Sequence, residues 1–184
     1  LVQKEMSTIR IKKGHHYPTP FIFPRFFFGK KFDWASSMRV TFNNTCAYEI
    51  GEDQSDINKL FGISYGHHQL NNSDRIGWRY LPGDNKIELL LYSYVDGQRV
   101  KKPLTKIPLN KEFKVAMLVS SDGNKRFVSV HIEPSGQFNS GVPLGFSWEF
   151  EMKPCLTWLH YTLHPYFGGN RKAPHDITIE NRSN

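Results

Sequence analysis

Residues 56–99 read DINKLFGISYGHHQLNNSDRIGWRYLPGDNKIELLLYSYVDGQR. Three runs in this stretch read as strands: 60–65 (LFGISY), 75–81 (RIGWRYL) and 86–95 (KIELLLYSYV). Side chains along a strand alternate between its two faces. In the last run Ile87, Leu89, Leu91 and Val95 therefore share one face, and Glu88, Tyr92 and Tyr94 the other. In the middle run Arg75, Gly77 and Arg79 lie opposite Ile76, Trp78 and Tyr80. Pro82-Gly83-Asp84-Asn85 supplies a turn, and Asp96-Gly97 is a hairpin signal because such two-residue turns favour positive φ. Strands joined this tightly pair antiparallel.

The same grammar extends outward. Residues 7–13 (STIRIKK) alternate as a first strand, and 14–34, broken by Pro18, Pro20 and Pro24, read as a connection pinned by phenylalanines. Residues 36–42 (SSMRVTF) form the next strand, with 46–50 (CAYEI) as its partner across an Asn43-Asn44-Thr45 turn. Asp56 caps one short helical turn through Asn58 and Lys59, the one place where helix is expected. After the hairpin, 98–107, 111–120, 125–133, 145–152, 155–164 and 176–180 read as strands. Short strands at about 8–12-residue spacing, with no helical crossovers, predict an all-β fold. The expected architecture is a single antiparallel β-sandwich domain over residues 1–184, a two-sheet jelly roll.

Composition bounds the function. At 39% hydrophobic the chain can bury a core, which excludes global disorder. Fourteen Phe, eight Tyr and four Trp exceed what such a core needs, so some rings should lie on a surface suited to sugars or protein partners. A net charge of +7 favours anionic partners, but the lysines and arginines are scattered and form no helical basic stripe, so nucleic acid is not expected. The most apolar run, FIFPRFFF at 21–28, is too short and too interrupted to span a bilayer. Cys46 and Cys155 are read either as one disulfide or as two buried thiols. The chain begins at Leu1, which suggests that an upstream piece has been removed, such as a secretory leader. The expected location is extracytoplasmic or at the cell surface. Nothing in the pattern fixes an oligomeric state. Asn-x-Ser/Thr sequons at Asn43, Asn71 and Asn181 matter only in a eukaryotic secretory pathway.

Three clusters could carry chemistry. In the first, His68 and Asn72 belong to the polar connection 66–74, and Arg75 and Arg79 return on one strand face about 13 Å apart. Each guanidinium can grip a carboxylate or sulfate bidentately. The competing reading ties the loop down through Asn and Ser and pairs the arginines with Glu88 or Asp74. In the second, Trp158, His160, Thr162 and His164 share one face of a strand. That spacing suits a groove or buried hydrogen bonds better than a metal chelate, and no metal site is assigned. The third joins Tyr92 and Tyr94 to His131, where stacked rings and an imidazole would form a concave face for an acidic oligosaccharide. Glu149 and Glu151 share a strand face but read as solvated. Gly168-Gly169-Asn170 lacks the strand–helix context of a phosphate cradle.

DINKLFGISYG, HHQLNNSDRIGWRY and KIELLLYSYVDGQR together resemble a group of bacterial and phage-associated β-sandwich proteins without an assigned activity. The closing PYFGGNRKAPHDITI (165–179) resembles the same group and concanavalin A-like (laminin G-like) jelly rolls more generally. The likeness covers residues 56–99 and 158–180. It implies the sandwich fold and, by analogy, glycan recognition; it supplies no catalytic residues. Related sandwiches often hold structural calcium, for which the acidic stretch 51–56 is the candidate here; no other cofactor is expected.

The functional expectation is a carbohydrate-binding or surface-recognition module for an acidic glycan. The alternatives are a polysaccharide lyase acting by β-elimination on a uronate-containing glycan, and a structural component of a surface or virion assembly.

Overall fold

The computed structural model describes residues 6–29, 32–122, 124–135, 144–151 and 159–182. Their strands are β1 (Met6–Ile11), β2 (Phe26–Phe28), β3 (Phe32–Phe42), β4 (Asn58–Tyr65), β5 (Ser73–Leu81) and β6 (Lys86–Val95). They continue as β7 (Gln98–Pro108), β8 (Glu112–Asp122), β9 (Lys125–Pro134), β10 (Leu144–Glu151), β11 (Leu159–Leu163) and β12 (Ile177–Arg182). Two six-stranded sheets result: a back sheet ordered β1-β12-β3-β8-β9-β10 and a front sheet ordered β2-β11-β4-β5-β6-β7. Every strand pairing is antiparallel. The fold is the expected jelly-roll sandwich.

Alternation builds the core. Ile76 and Trp78 from β5 and Ile87, Leu89 and Leu91 from β6 point inward and meet Val40, Phe42, Val115, Met117, Val128 and Val130 of the back sheet. Phe42 and Trp78 touch across the layers, with ring centroids 5.1 Å apart. Asp96 and Gly97 adopt φ of 49° and 82°, so the β6–β7 hairpin turns where the sequence places it.

The sequence reading needs correction in three places. Residues 46–50 alternate inward, burying Cys46, Tyr48 and Ile50, yet they pair with no strand. Local bonds satisfy this backbone instead: the Cys46 and Ala47 N–H groups donate to the Asn43 and Asn44 carbonyls, Gln54 Nε2 donates to the Tyr48 carbonyl, and the Ile50 N–H donates to Gln54 Oε1. Alternation reported burial there, not pairing. Helix forms in three places and not one, as 3-10 turns over Asn44–Cys46, Gly51–Ser55 and Pro82–Asp84, whereas Asn58 and Lys59 already belong to β4. Lastly, the expected connection 14–34 contains β2 and the start of β3. The small polar residues Ser36 and Ser37 mask a strand that runs from Phe32 to Phe42 and pairs with β8 from Phe32 to Thr41.

Cys46 is a buried free thiol, pushed up to about 12 by its burial. Cys155 lies outside the described residues.

The sheets are also joined by charge. Asp74 of β5 and Arg126 of β9 are both fully buried, with Arg126 Nε 2.9 Å from Asp74 Oδ2. Tyr65 Oη and Ser93 Oγ donate to the carboxylate at 2.9 and 2.5 Å. Arg126 Nη2 donates to the Tyr94 carbonyl at 3.0 Å, and its guanidinium lies 4.8 Å from the Tyr65 ring centroid. Burial pushes the Asp74 carboxyl up from its ordinary value, while Arg126, Ser93 and Tyr65 pull it the other way. Removing one member of such a pair strands the other charge. Asp74→Ala should therefore cost about 3–5 kcal/mol in urea unfolding. The joint change Asp74→Leu with Arg126→Met should recover most of that loss.

Candidate functional site

The outward-facing residues of the front sheet line a cavity of about 630 Å³. Its floor follows from the register of β4, β5, β6 and β7. Arg75 lies opposite Tyr92, Tyr92 opposite Lys101, and Tyr94 opposite Arg99, so these side chains stand on one face. Gly62 of β4, opposite Arg75, gives the arginine its path. A Cβ there would meet the Asp74 carbonyl at 2.2 Å and Arg75 Cγ at 2.8 Å. Ile57, Leu90 and Tyr92 form a small apolar cluster on this face, with Tyr94 packed against it.

The walls come from chain segments distant in sequence. Tyr161, Leu163 and His164, Tyr17, Phe21 and Pro24, and Gln69 and Leu70 all contribute to the lining. The loop after β11 closes against β4 by an antiparallel bridge between Lys59 and Tyr166. Only glycine permits this approach, because a Cβ on Gly168 would lie 1.9 Å from the Ile57 carbonyl oxygen. Lys59 Nζ donates to the Ile57 carbonyl at 2.7 Å and lies 4.7 Å from the Tyr92 ring centroid and 5.5 Å from that of Tyr166.

The lining carries an excess of positive charge. Lys59, Arg75, Arg99 and Lys101 line the cavity together with one carboxylate, Asp56. Burial, reinforced by the Arg75 charge, brings Lys59 down to about 8. Arg75 is 9% exposed; its Nη2 donates to Gln69 Oε1, while its buried Nε has no partner among the described residues. Burial raises the Tyr94 and Tyr166 hydroxyls above the usual phenol value, so both remain donors at neutral pH. Burial, then Arg75, holds His164 below the usual imidazole value, which favours its neutral form.

The residues proposed from sequence separate accordingly. Arg75, Tyr92, Tyr94 and His164 come together in this cavity. Arg79 shares their sheet face but is bound to Glu88, Nε to Oε2 at 2.6 Å, and to the Ser55 carbonyl. Asn72 is buried and ties the loop to the hairpin: its Oδ1 accepts the Asp96 N–H at 3.0 Å. His68 is exposed on that loop, away from the cavity lining. His131 does not join Tyr92 and Tyr94. It is exposed on the outer face of β9, in the other sheet, because alternation gives the two faces of a strand but not the layer it joins. His160 and His164 likewise do not share a face. His160 points into the core, stacks on Phe32 at 4.5 Å and donates from Nε2 to the Gly29 carbonyl, whereas His164 follows the end of β11. Trp158 lies outside the described residues. Glu149 is held by Lys125 at 2.7 Å.

Lys59, Arg99, Lys101, Tyr161 and Tyr166 were not foreseen. Arg99 and Lys101 could have been counted from the Asp96-Gly97 turn, which fixes their cross-strand partners. Lys59 and Tyr166 meet through a loop closure that has no local signature.

Among the described residues no three His, Cys, Asp or Glu side chains gather as a metal site. In the stretch considered for calcium, Asp53 Oδ2 accepts from Arg171 Nε at 2.8 Å. No helix among the described residues is long and apolar enough to cross a membrane.

No protein-family model matches the chain, and no curated protein matches it. In shape it is similar to a xylan β-1,4-xylosidase from Bacillus Halodurans C-125, with TM-score 0.49 and 8% identity, over 84% of this chain and 28% of that one. It is also similar to a heptameric SAP-like pentraxin from Limulus polyphemus, with TM-score 0.44 and 12% identity, over 97% and 74% of the two chains. A third similar structure is the carbohydrate binding module CBM66 from Bacillus subtilis, with TM-score 0.29 and 7% identity, over 87% and 82%. At such identities these likenesses concern shape alone.

Proposed function

We propose that the chain is a carbohydrate-binding module that takes an acidic saccharide in the front-sheet cavity, acting outside the cytoplasm or at a cell surface. The observation that carries this reading is the lining itself. Lys59, Arg75, Arg99 and Lys101 surround a space of about 630 Å³ whose other surfaces include Tyr17, Tyr92, Tyr94, Tyr161 and Tyr166. Cations pair with a uronate or sulfate, rings cover the flat faces of the sugar, and phenol hydroxyls orient its hydroxyl groups.

Calorimetric titration with alginate, heparinoid and pectin oligosaccharides tests this reading against neutral glucans and xylans. Binding is expected for an acidic set only. Arg75→Ala should weaken it by about ten- to a hundredfold, the worth of a charge-assisted hydrogen bond. Equal affinity for neutral sugars, or an unchanged Arg75→Ala affinity, would sink the proposal.

The pH dependence has a definite sign. Lys59 titrates near 8, below an ordinary lysine, because burial and Arg75 disfavour its charge. Its cation is present below that value and lost above it, so affinity for an anion should fall as pH rises through 8. Lys59→Arg keeps the charge and should flatten the curve; titration from about pH 6 to about pH 9.5 reads this directly.

A lyase is the second reading, favoured by His164, whose neutral form can accept a proton, in one cavity with Arg75. β-Elimination needs a cation at the uronate carboxylate and a base at the neighbouring carbon. Ultraviolet absorbance of unsaturated uronates on incubation with the same three polymers would establish it. Binding without product would leave recognition as the function.

A further inference from the structure

The outer face of the front sheet changes character from one edge to the other. At the β2 edge, Phe26 and Phe28 point outward while Phe27 packs inward on Phe32. Phe21, Ile22 and Phe23 precede them, and the five outward side chains are 52%, 39%, 80%, 57% and 77% exposed in sequence order. The ridge is held in place. The Arg25 N–H donates to Thr162 Oγ1 at 2.9 Å, and the Thr162 N–H donates back to the Arg25 carbonyl at 2.9 Å. Pro18, Pro20 and Pro24 stiffen the approach. Phe21 and Phe23 rest edge to face, with centroids 5.5 Å apart. At the opposite edge, Arg99 and Lys101 stand on β7, and Arg25 is exposed within the ridge.

We propose that this face docks on a bilayer carrying anionic headgroups, with the ridge at residues 21–28 entering the interfacial layer. An apolar group of this size held in water usually marks a docking surface. Charge decides the occupant. The ridge is continuous with a cationic cavity that shares Phe21 and Pro24 with it, so the covering surface must offer an apolar layer beside negative charge. A membrane of anionic lipid presents these side by side, and rings standing out from a narrow edge penetrate it. A flat apolar protein partner would have to bury the cations without compensation. This inference rests on the exposed ridge and does not require the saccharide reading.

Co-sedimentation of the full chain with phosphatidylcholine vesicles, with and without phosphatidylglycerol, tests it. Partition into the anionic vesicles is expected, weaker at high salt, with little into the neutral ones. F23S/F28S should reduce partition by about a hundredfold, because each of the two buried rings contributes about tenfold. Both rings are exposed, so the melting temperature of this variant should match the unsubstituted chain. Absence of sedimentation with anionic vesicles would overturn the inference, as would unchanged partition of F23S/F28S. Lipid-free self-association that F23S/F28S abolishes, without vesicle binding, would assign the ridge to a second copy and overturn it too. The two readings fail separately: silence toward soluble acidic oligosaccharides counts against the cavity, and silence toward vesicles against the ridge.

Discussion

The ion pair between Asp74 and Arg126 ties the two layers of the sandwich together at one end. Two charges without solvent contact cost several kcal/mol each to desolvate, and geometry alone offsets this. Here the geometry is full: Tyr65, Ser93 and Arg126 converge on the carboxylate, and Arg126 also reaches the Tyr94 carbonyl. The groups come from β4, β5, β6 and β9, so satisfying one buried carboxylate fixes the relative height of four strands in two sheets. An apolar contact tolerates sliding; this set of bonds does not. Register is what the outer face needs most.

Position 75 depends on position 74 for this reason. Successive side chains on β5 point to opposite faces, so the inward Asp74 sends Arg75 outward over Gly62. Tyr65 and Tyr94 extend the link, since both touch the buried pair and Tyr94 also lines the cavity. The cationic side chains of the floor are thereby carried on strands, an arrangement that lowers the ordering cost of the proposed binding.

What could be read from sequence follows from which signals are local. The faces of β5 and β6 were legible because alternation is a property of adjacent residues, and it assigned Arg75, Tyr92 and Tyr94 to outward positions. Sheet membership is not local. His131 has the right alternation and lies on the wrong layer, since nothing within 125–133 says which sheet the strand joins. Sequence identified His160 and His164 but not that one points into the core and the other into the cavity. Leu163 ends the strand, and the next residues turn toward β4, so the expected common face does not persist. Asn72 and Arg79 illustrate a third limit. A polar residue beside a site has the composition of a ligand whether or not a neighbour already claims it; Asp96 and Glu88 claim these two.

The same distinction sets the outer face of the front sheet apart. Inward positions of both sheets are constrained by close packing, and a change of one methylene is felt there. Outward positions of the back sheet include cross-strand ion pairs, as in Lys125 with Glu149 and Lys114 with Glu133. On the front sheet the cross-strand neighbours of Arg75 and Arg99 are tyrosines, not carboxylates, so their charge is not neutralised across the ladder. Arg79 does have a carboxylate opposite it and is neutralised. The boundary between scaffold and site thus falls between Arg75 and Arg79, two positions that alternation treats as equivalent. Cross-strand identity separates them: Arg75 faces Tyr92 across the ladder, whereas Arg79 faces Glu88 and is paired with it.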